Sequence, residues 1–142
     1  MIQVEVEIEI CRNPIEVFEY ISDFSRNPEW QSGMKEAHFL TEGPLRVGTR
    51  YAQVAKFLGK RIESVFEVTA FDPGKLVSAK SVEGSFPISF CRTVEPTGAG
   101  ARVKTLVEGD ASGFFKFGGS LLAKMVESAI RKDYKNLKKL LT

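Results

Sequence analysis

Four polar side chains are the places where chemistry would have to reside: His38, Tyr51, Arg92 and Asp133. His38 is the only histidine, and histidine alone titrates near neutral pH without help, so a general-base role falls to it first. It lies in EAHFL, a strand-like run whose register the pattern leaves open; it is either a ligand contact or a satisfied edge residue. Tyr51 and Arg92 are the alternatives for a polar contact to a carboxylate, carbonyl or phenol. Arg92 is in phase with Phe86, Ile88 and Phe90 along one strand, so it points where they point unless a bulge intervenes. Inside an apolar pocket it would anchor an anion. Asp133 falls within the apolar stripe of a helical projection, close to Asn136. A buried carboxylate needs a partner, so it either orients a ligand or ties the helix to a backbone edge or an arginine.

No acid/base pair clusters around these residues, so the catalytic candidates stop at His38, Tyr51 and Arg92. Cys11 and Cys91 have neither CxxC spacing nor a neighbouring histidine, which argues against a zinc site or a dithiol pair and favours a reducing compartment. No metal and no cofactor is expected.

Positioning such side chains takes elements, and the pattern names them. Ile2, Val4, Val6, Ile8 and Ile10 alternate with Gln3, Glu5, Glu7 and Glu9, the period of a strand with one buried face. Asn13 is placed to cap a short helix, with Pro14 at its first position and Glu16 as a capping-box partner. Val17, Phe18, Tyr20, Ile21 and Phe24 supply that helix's apolar face; a second brief turn runs through Pro28 to Trp30, which would plug a floor. From Met34 onward, turn signals at Gly43, Gly59, Gly74, Gly84 and Gly98 separate six strand-like segments.

After Gly113 the period becomes helical to the end. The spacing predicts a helix over 115–141 with Phe115, Leu122, Val126, Ala129, Leu137 and Leu140 on one stripe, flanked by Met125 and Ile130. Gly118 and Gly119 near its start either make room for a ligand or allow close packing against Phe114. Together with Phe114, Phe115 and Phe117 they suit a mobile lip. Seven antiparallel strands at about 4.8 Å spacing are far wider than one helix of about 10–12 Å, so the sheet must curl around it and leave space between. The two short helices would close one end of that space.

Composition bounds the rest. A chain of 142 residues is about one domain, spanning 1–142, with enough length to bury a core. A net charge of +2 gives no reason to expect a nucleic-acid partner. The acids gather in the first 33 residues and the bases after 116, which would favour the two ends lying side by side. No apolar run reaches the roughly 18 residues of a membrane span, and no basic-then-apolar leader opens the chain, so a soluble, cytoplasmic protein is expected.

Several segments together resemble the START-like (SRPBCC) superfamily and, more narrowly, its polyketide cyclase/dehydrase-like members. They are NPIEVFEYISDFSRNPEW at 13–30, VGTRY at 47–51, FEVTAFDPGKL at 66–76, EPTGAGARV at 95–103 and DYKNLKKLL at 133–141. The resemblance implies an α+β helix-grip fold: a seven-stranded curved antiparallel sheet wrapped around a long C-terminal helix, with two short helices after strand 1. It implies a hydrophobic cavity between sheet and helix that takes lipids, sterols or polyketide-like molecules, and carries over no catalytic residue. The residues expected to line it are Tyr51, Phe66, Phe90, Arg92, Phe115, Leu122, Met125, Val126 and Ala129. Binding or transport of a small hydrophobic ligand by a monomer or weak homodimer is the first expectation. A cyclase or dehydratase using the same cavity is the alternative.

Overall fold

The alternating N-terminal run forms β1 (Ile2–Ile10), with Val4, Val6 and Ile10 buried and every glutamate turned outward. A computed structural model describes residues 1–115 and 118–142. The chain then turns into α1 (Pro14–Ser22), where Asn13 Oδ1 accepts from the backbone N–H of Ile15 at 2.8 Å and of Glu16 at 3.4 Å. The capping box is only half made, because the Glu16 carboxylate lies 3.9 Å from Arg12. Asp23 caps a single 3-10 turn, Phe24–Arg26, and α2 (Asn27–Trp30) follows.

Six further strands follow, β2 (Met34–Phe39), β3 (Arg50–Phe57), β4 (Lys60–Asp72), β5 (Leu76–Gly84), β6 (Ile88–Pro96) and β7 (Ala101–Gly109), joined by short turns except for the longer loop over 40–49 between β2 and β3. They form one antiparallel sheet in the order β1-β7-β6-β5-β4-β3-β2, so β1 and β2 are its edges. The chain reaches the far edge by way of α1 and α2, which explains why helices interrupt the strands after β1. Gly100, in the β6–β7 turn, lies so close to the backbone of Ile10 and Arg12 that any Cβ there would clash. That contact locks the turn to the end of β1.

The sheet curls, and α3 (Gly119–Leu141) closes its concave side. This is the expected α+β helix-grip architecture. At about 1.5 Å per residue, its 23 residues are about 34 Å long. Its backbone comes nearest to β1 and α2 and leaves the middle strands at a distance that side chains alone must bridge. An aromatic column fills the α1/α2 end, with Phe24 stacked on Tyr51 at 4.2 Å between centroids and Tyr51 on Phe66 at 5.3 Å.

Two sequence expectations change here. The helix begins at Gly119, not at 115; Gly118 is its exposed N-cap with open space around it, and Gly119 has φ +64°, so the glycines shape the helix start and make no room inside. Phe117, assigned to a lip, lies outside the described residues. The buried stripe is Leu122, Tyr134, Leu137 and Leu141, with Val126 and Ile130 half-buried, while Leu140 is 48 % exposed. The helix is thus rotated so that Tyr134, and not Asp133, faces the sheet. The two ends do lie side by side, α3 against β1, although Glu7 and Glu9 face away from α3 and bind Arg102 on β7.

Candidate functional site

Period two along β6 carries Ile88, Phe90 and Arg92 to the concave face, and antiparallel pairing sets Arg92 opposite Val77 on one side and Thr105 on the other. Arg92 is only 6 % exposed. Its Nε donates to the Tyr134 hydroxyl on α3 at 2.9 Å, and its Nη1 donates to the Ile21 carbonyl at 3.2 Å. The guanidinium lies over three aromatic faces, 4.3 Å from the centroid of Phe90, 5.2 Å from Trp30 and 6.0 Å from Phe24. Sheet, α1, α2 and α3 therefore all meet at this one side chain.

Beside it is an inner chamber of about 130 Å³, walled by Arg92, Trp30, Tyr51, Gln53, Asn27, Asp133 and Tyr134, with Phe66 and Phe90 behind. Asn27 Nδ2 donates to Gln53 Oε1 at 3.1 Å, but Asn27 Oδ1 and Trp30 Nε1 are buried without a partner among the described residues. Burial pushes the Tyr51 phenol well above its ordinary value, against a smaller opposing pull from the Arg92 charge, so Tyr51 keeps its proton. Asp133 is also raised, by burial first; hydrogen bonds to its Oδ1 from the N–H and hydroxyl of Ser32, both 3.1 Å, oppose this. The carboxylate thus ties α3 to the backbone edge after α2, one of the two roles open to it from sequence.

A second, outer chamber of about 190 Å³ adjoins the first across Ile88, Val107 and Ile130, which line both. Its remaining wall is apolar, including Phe57, Phe86, Phe115, Val126 and Ala129. Phe115 meets Phe57 edge-on at 5.7 Å and Phe114 at 5.0 Å. Lys60, the first residue of β4, donates to the Phe114 carbonyl and sits 4.9 Å over the Phe114 ring, holding the segment before α3 against the β3–β4 hairpin.

Of the residues proposed from sequence, Tyr51, Phe66, Phe90 and Arg92 meet at the inner chamber, and Phe115, Val126 and Ala129 at the outer one. Leu122 is buried against Ala111 and Phe115, and Met125 is half-buried outside both linings. His38 takes the edge alternative and contacts neither chamber. It is exposed on edge strand β2, opposite Ala52, while its neighbour Phe39 turns its ring towards Phe24 and Tyr51. Alternation sends His38 to the convex face, out of reach of either chamber.

Sequence reasoning missed Ile130 and Tyr134 as wall residues, although with Val126 they sit at four-residue steps, one per turn of one helix face. A larger concavity of about 820 Å³ lies outside, between α1, the β2–β3 loop and the β4–β5 turn. It is more open than the chambers and has one buried polar atom without a partner among the described residues, Ser22 Oγ, whereas the inner chamber has two beside the buried Arg92 and is the better site despite its smaller volume. No helix among the described residues is long and apolar enough to cross a membrane, and no cluster of three or more metal-ligating side chains occurs among them.

The family model described as polyketide cyclase/dehydrase and lipid transport matches residues 1–142. The chain belongs to that family. Solved structures of similar shape include TTHA0849 from Thermus thermophilus, at 20 % identity and TM-score 0.81, covering 98 % of this chain and 96 % of that one. A START superfamily protein from Mycobacterium smegmatis aligns over the same shares at 15 % identity and TM-score 0.77. CV1439 from Chromobacterium violaceum aligns at 16 % identity and TM-score 0.71, over 99 % and 98 % of the two chains. At these identities the likeness is one of fold. No curated protein matches the chain. In this member of the polyketide cyclase/dehydrase and lipid transport family, the space between sheet and helix is a pair of chambers meeting at Ile88, Val107 and Ile130.

Proposed function

We propose that the protein binds and carries a small hydrophobic ligand in the two chambers between the sheet and α3. The observation that carries this reading is the half-open apolar outer chamber leading to a polar inner end, the arrangement of pockets that bury most of a small molecule and orient it by a few polar groups. Both chambers are walled by one chain, so a single copy suffices. The family description includes lipid transport, which fits this reading.

Nile red is the test. Its emission should rise and shift to the blue with the wild-type protein, and the response should fall when Ala129→Trp fills the outer chamber. No response, or the same response in Ala129→Trp, would dismiss the carrier reading.

One observation favours the cyclase alternative. A phenol that keeps its proton, Tyr51, shares a desolvated chamber with a permanent cation, Arg92, and such a pair would stabilise an enolate oxygen. With His38 outside, these two carry that reading alone. Turnover of a model polyketide that survives Tyr51→Phe and Arg92→Met would eliminate it.

A further inference from the structure

Arg92 is a buried cation whose hydrogen-bond partners are both uncharged. A guanidinium has five N–H groups, and the Tyr134 hydroxyl and the Ile21 carbonyl take two of them. No carboxylate of the described residues lies within the 4.0 Å of an ion pair. Asp133 lines the same chamber, but its Oδ1 accepts both hydrogen bonds from Ser32, no ion pair joins it to Arg92, and the charge that acts on it is that of Lys132. Aromatic faces on Phe90 and Trp30 offset part of the desolvation, but they do not neutralise the charge. A methionine would fill that volume without the penalty, since an unpaired buried charge is among the most costly features a fold can keep.

Two neighbours repeat the imbalance, while a third, Asn27, presents a buried acceptor, Oδ1, without a partner among the described residues. Trp30 is 2 % exposed and its Nε1–H, a donor and nothing else, is buried without a partner among the described residues in the wall of the same chamber. The Tyr51 hydroxyl adds a third proton donor to that wall. Water would satisfy single N–H groups but would leave the cation uncompensated.

We infer that the inner chamber receives the anionic head of the ligand, a single carboxylate on an otherwise apolar body. The carboxylate would lie against the free edge of the Arg92 guanidinium and accept from Trp30 Nε1, while the body fills the outer chamber. A planar fork of N–H groups matches the two oxygens of a carboxylate. A dianion such as a phosphate monoester is disfavoured: the chamber holds one cation, and Asp133 also stands in its wall. The inference rests on the carrier reading and adds the chemistry of the head.

Competition against bound Nile red separates the two. Decanoate and 2-naphthoate, an alkyl and an aromatic carboxylate, are compared at neutral pH with 1-decanol, 2-naphthol and decylamine. The wild-type protein should bind at least one acid about tenfold or more tightly than its alcohol, and the amine more weakly than either. Which acid shows the larger ratio identifies the body. In Arg92→Met the acid-to-alcohol ratio should fall to about one. Should that variant fail to fold by circular dichroism, the ratio in Trp30→Phe decides, and it should fall below the wild-type value.

Alcohols that displace the probe as well as their acids do would overturn the inference and leave the carrier reading intact. A ratio retained in Arg92→Met, or in Trp30→Phe where that variant must decide, would likewise overturn it. No uptake of Nile red would fail the carrier reading itself, and the inference with it.

Discussion

Two arginines on neighbouring strands face opposite sides of one sheet, and the chain treats them in opposite ways. Arg102 on the convex face of β7 meets three carboxylates, Glu9 at 2.8 Å, Glu7 at 3.1 Å and Glu95 at 3.3 Å. Arg92 on the concave face of β6 meets none among the described residues, only a phenol and a carbonyl. Where water already solvates the charge, three partners add little; where water is excluded, a partner would matter most and is missing. The outer arginine belongs to a surface network that knits β1, β7 and β6. The inner one has the character of a site.

Charge reversal should widen that contrast most. Arg92→Glu sets a carboxylate among Trp30, Phe90 and Phe24, and urea unfolding should show a loss of about 3–5 kcal/mol. The same reversal at Arg102 should cost far less, and equal losses at the two positions would refute the distinction between the faces. Tyr134→Phe comes next: it removes the acceptor for Arg92 Nε, and the orphaned buried donor should lower stability by about 1–3 kcal/mol in the same assay.

Asp133→Asn should act through pH. The native carboxyl is raised above its ordinary 3.8, so its proton is held more tightly in the folded chain. Its contribution to stability is complete below 3.8 and is lost as pH rises through the higher native value. The asparagine keeps an oxygen for Ser32, so its unfolding free energy should lack that decline as the pH rises above 3.8 and exceed the wild-type value once the native carboxyl is ionised. A decline as steep in the variant would show that the titrating group is another one.

The smallest effect belongs to the surface. Arg102→Met should cost little, and the difference should vanish in about 1 M salt, where exposed pairs are screened. Glu95 shows the opposite pH sense to Asp133: hydrogen bonds from Arg102 and then Lys104 hold it below its ordinary 4.5, so its contribution is present above that value and lost as acid is added. Loss of Arg102 should move that carboxyl back up in a titration followed by NMR.

Much of the fold was legible because it is written locally. The glutamates of β1 alternate with valine and isoleucine, Asn13 and Pro14 announce α1, and glycine turns separate the strands. Each is a signal within a few residues. The candidate site was legible only in part. Phase with Phe90 was enough to pair Arg92 with the apolar face, but nothing near His38 in the chain says that Phe39 would take the inward position. Asp133 took one of the two roles the sequence left open to it, but an ideal 100° projection centres the stripe about half a residue's turn from where Tyr134 packs against Trp30, 5.0 Å away.

Taken by itself, the amino-acid order determined the succession of elements, the apolar face of each and the curvature that a wide sheet around one helix demands. Tertiary contact decided which polar groups share the interior: the rotation of α3, the direction of His38, and the meeting of Trp30, Tyr51, Arg92 and Tyr134 from four separate elements. The physical reason is one of range. Caps, turns and periodicity act over one or two turns of chain, whereas register and helix rotation are set where distant surfaces pack, and a shift of a single residue exchanges inside for outside.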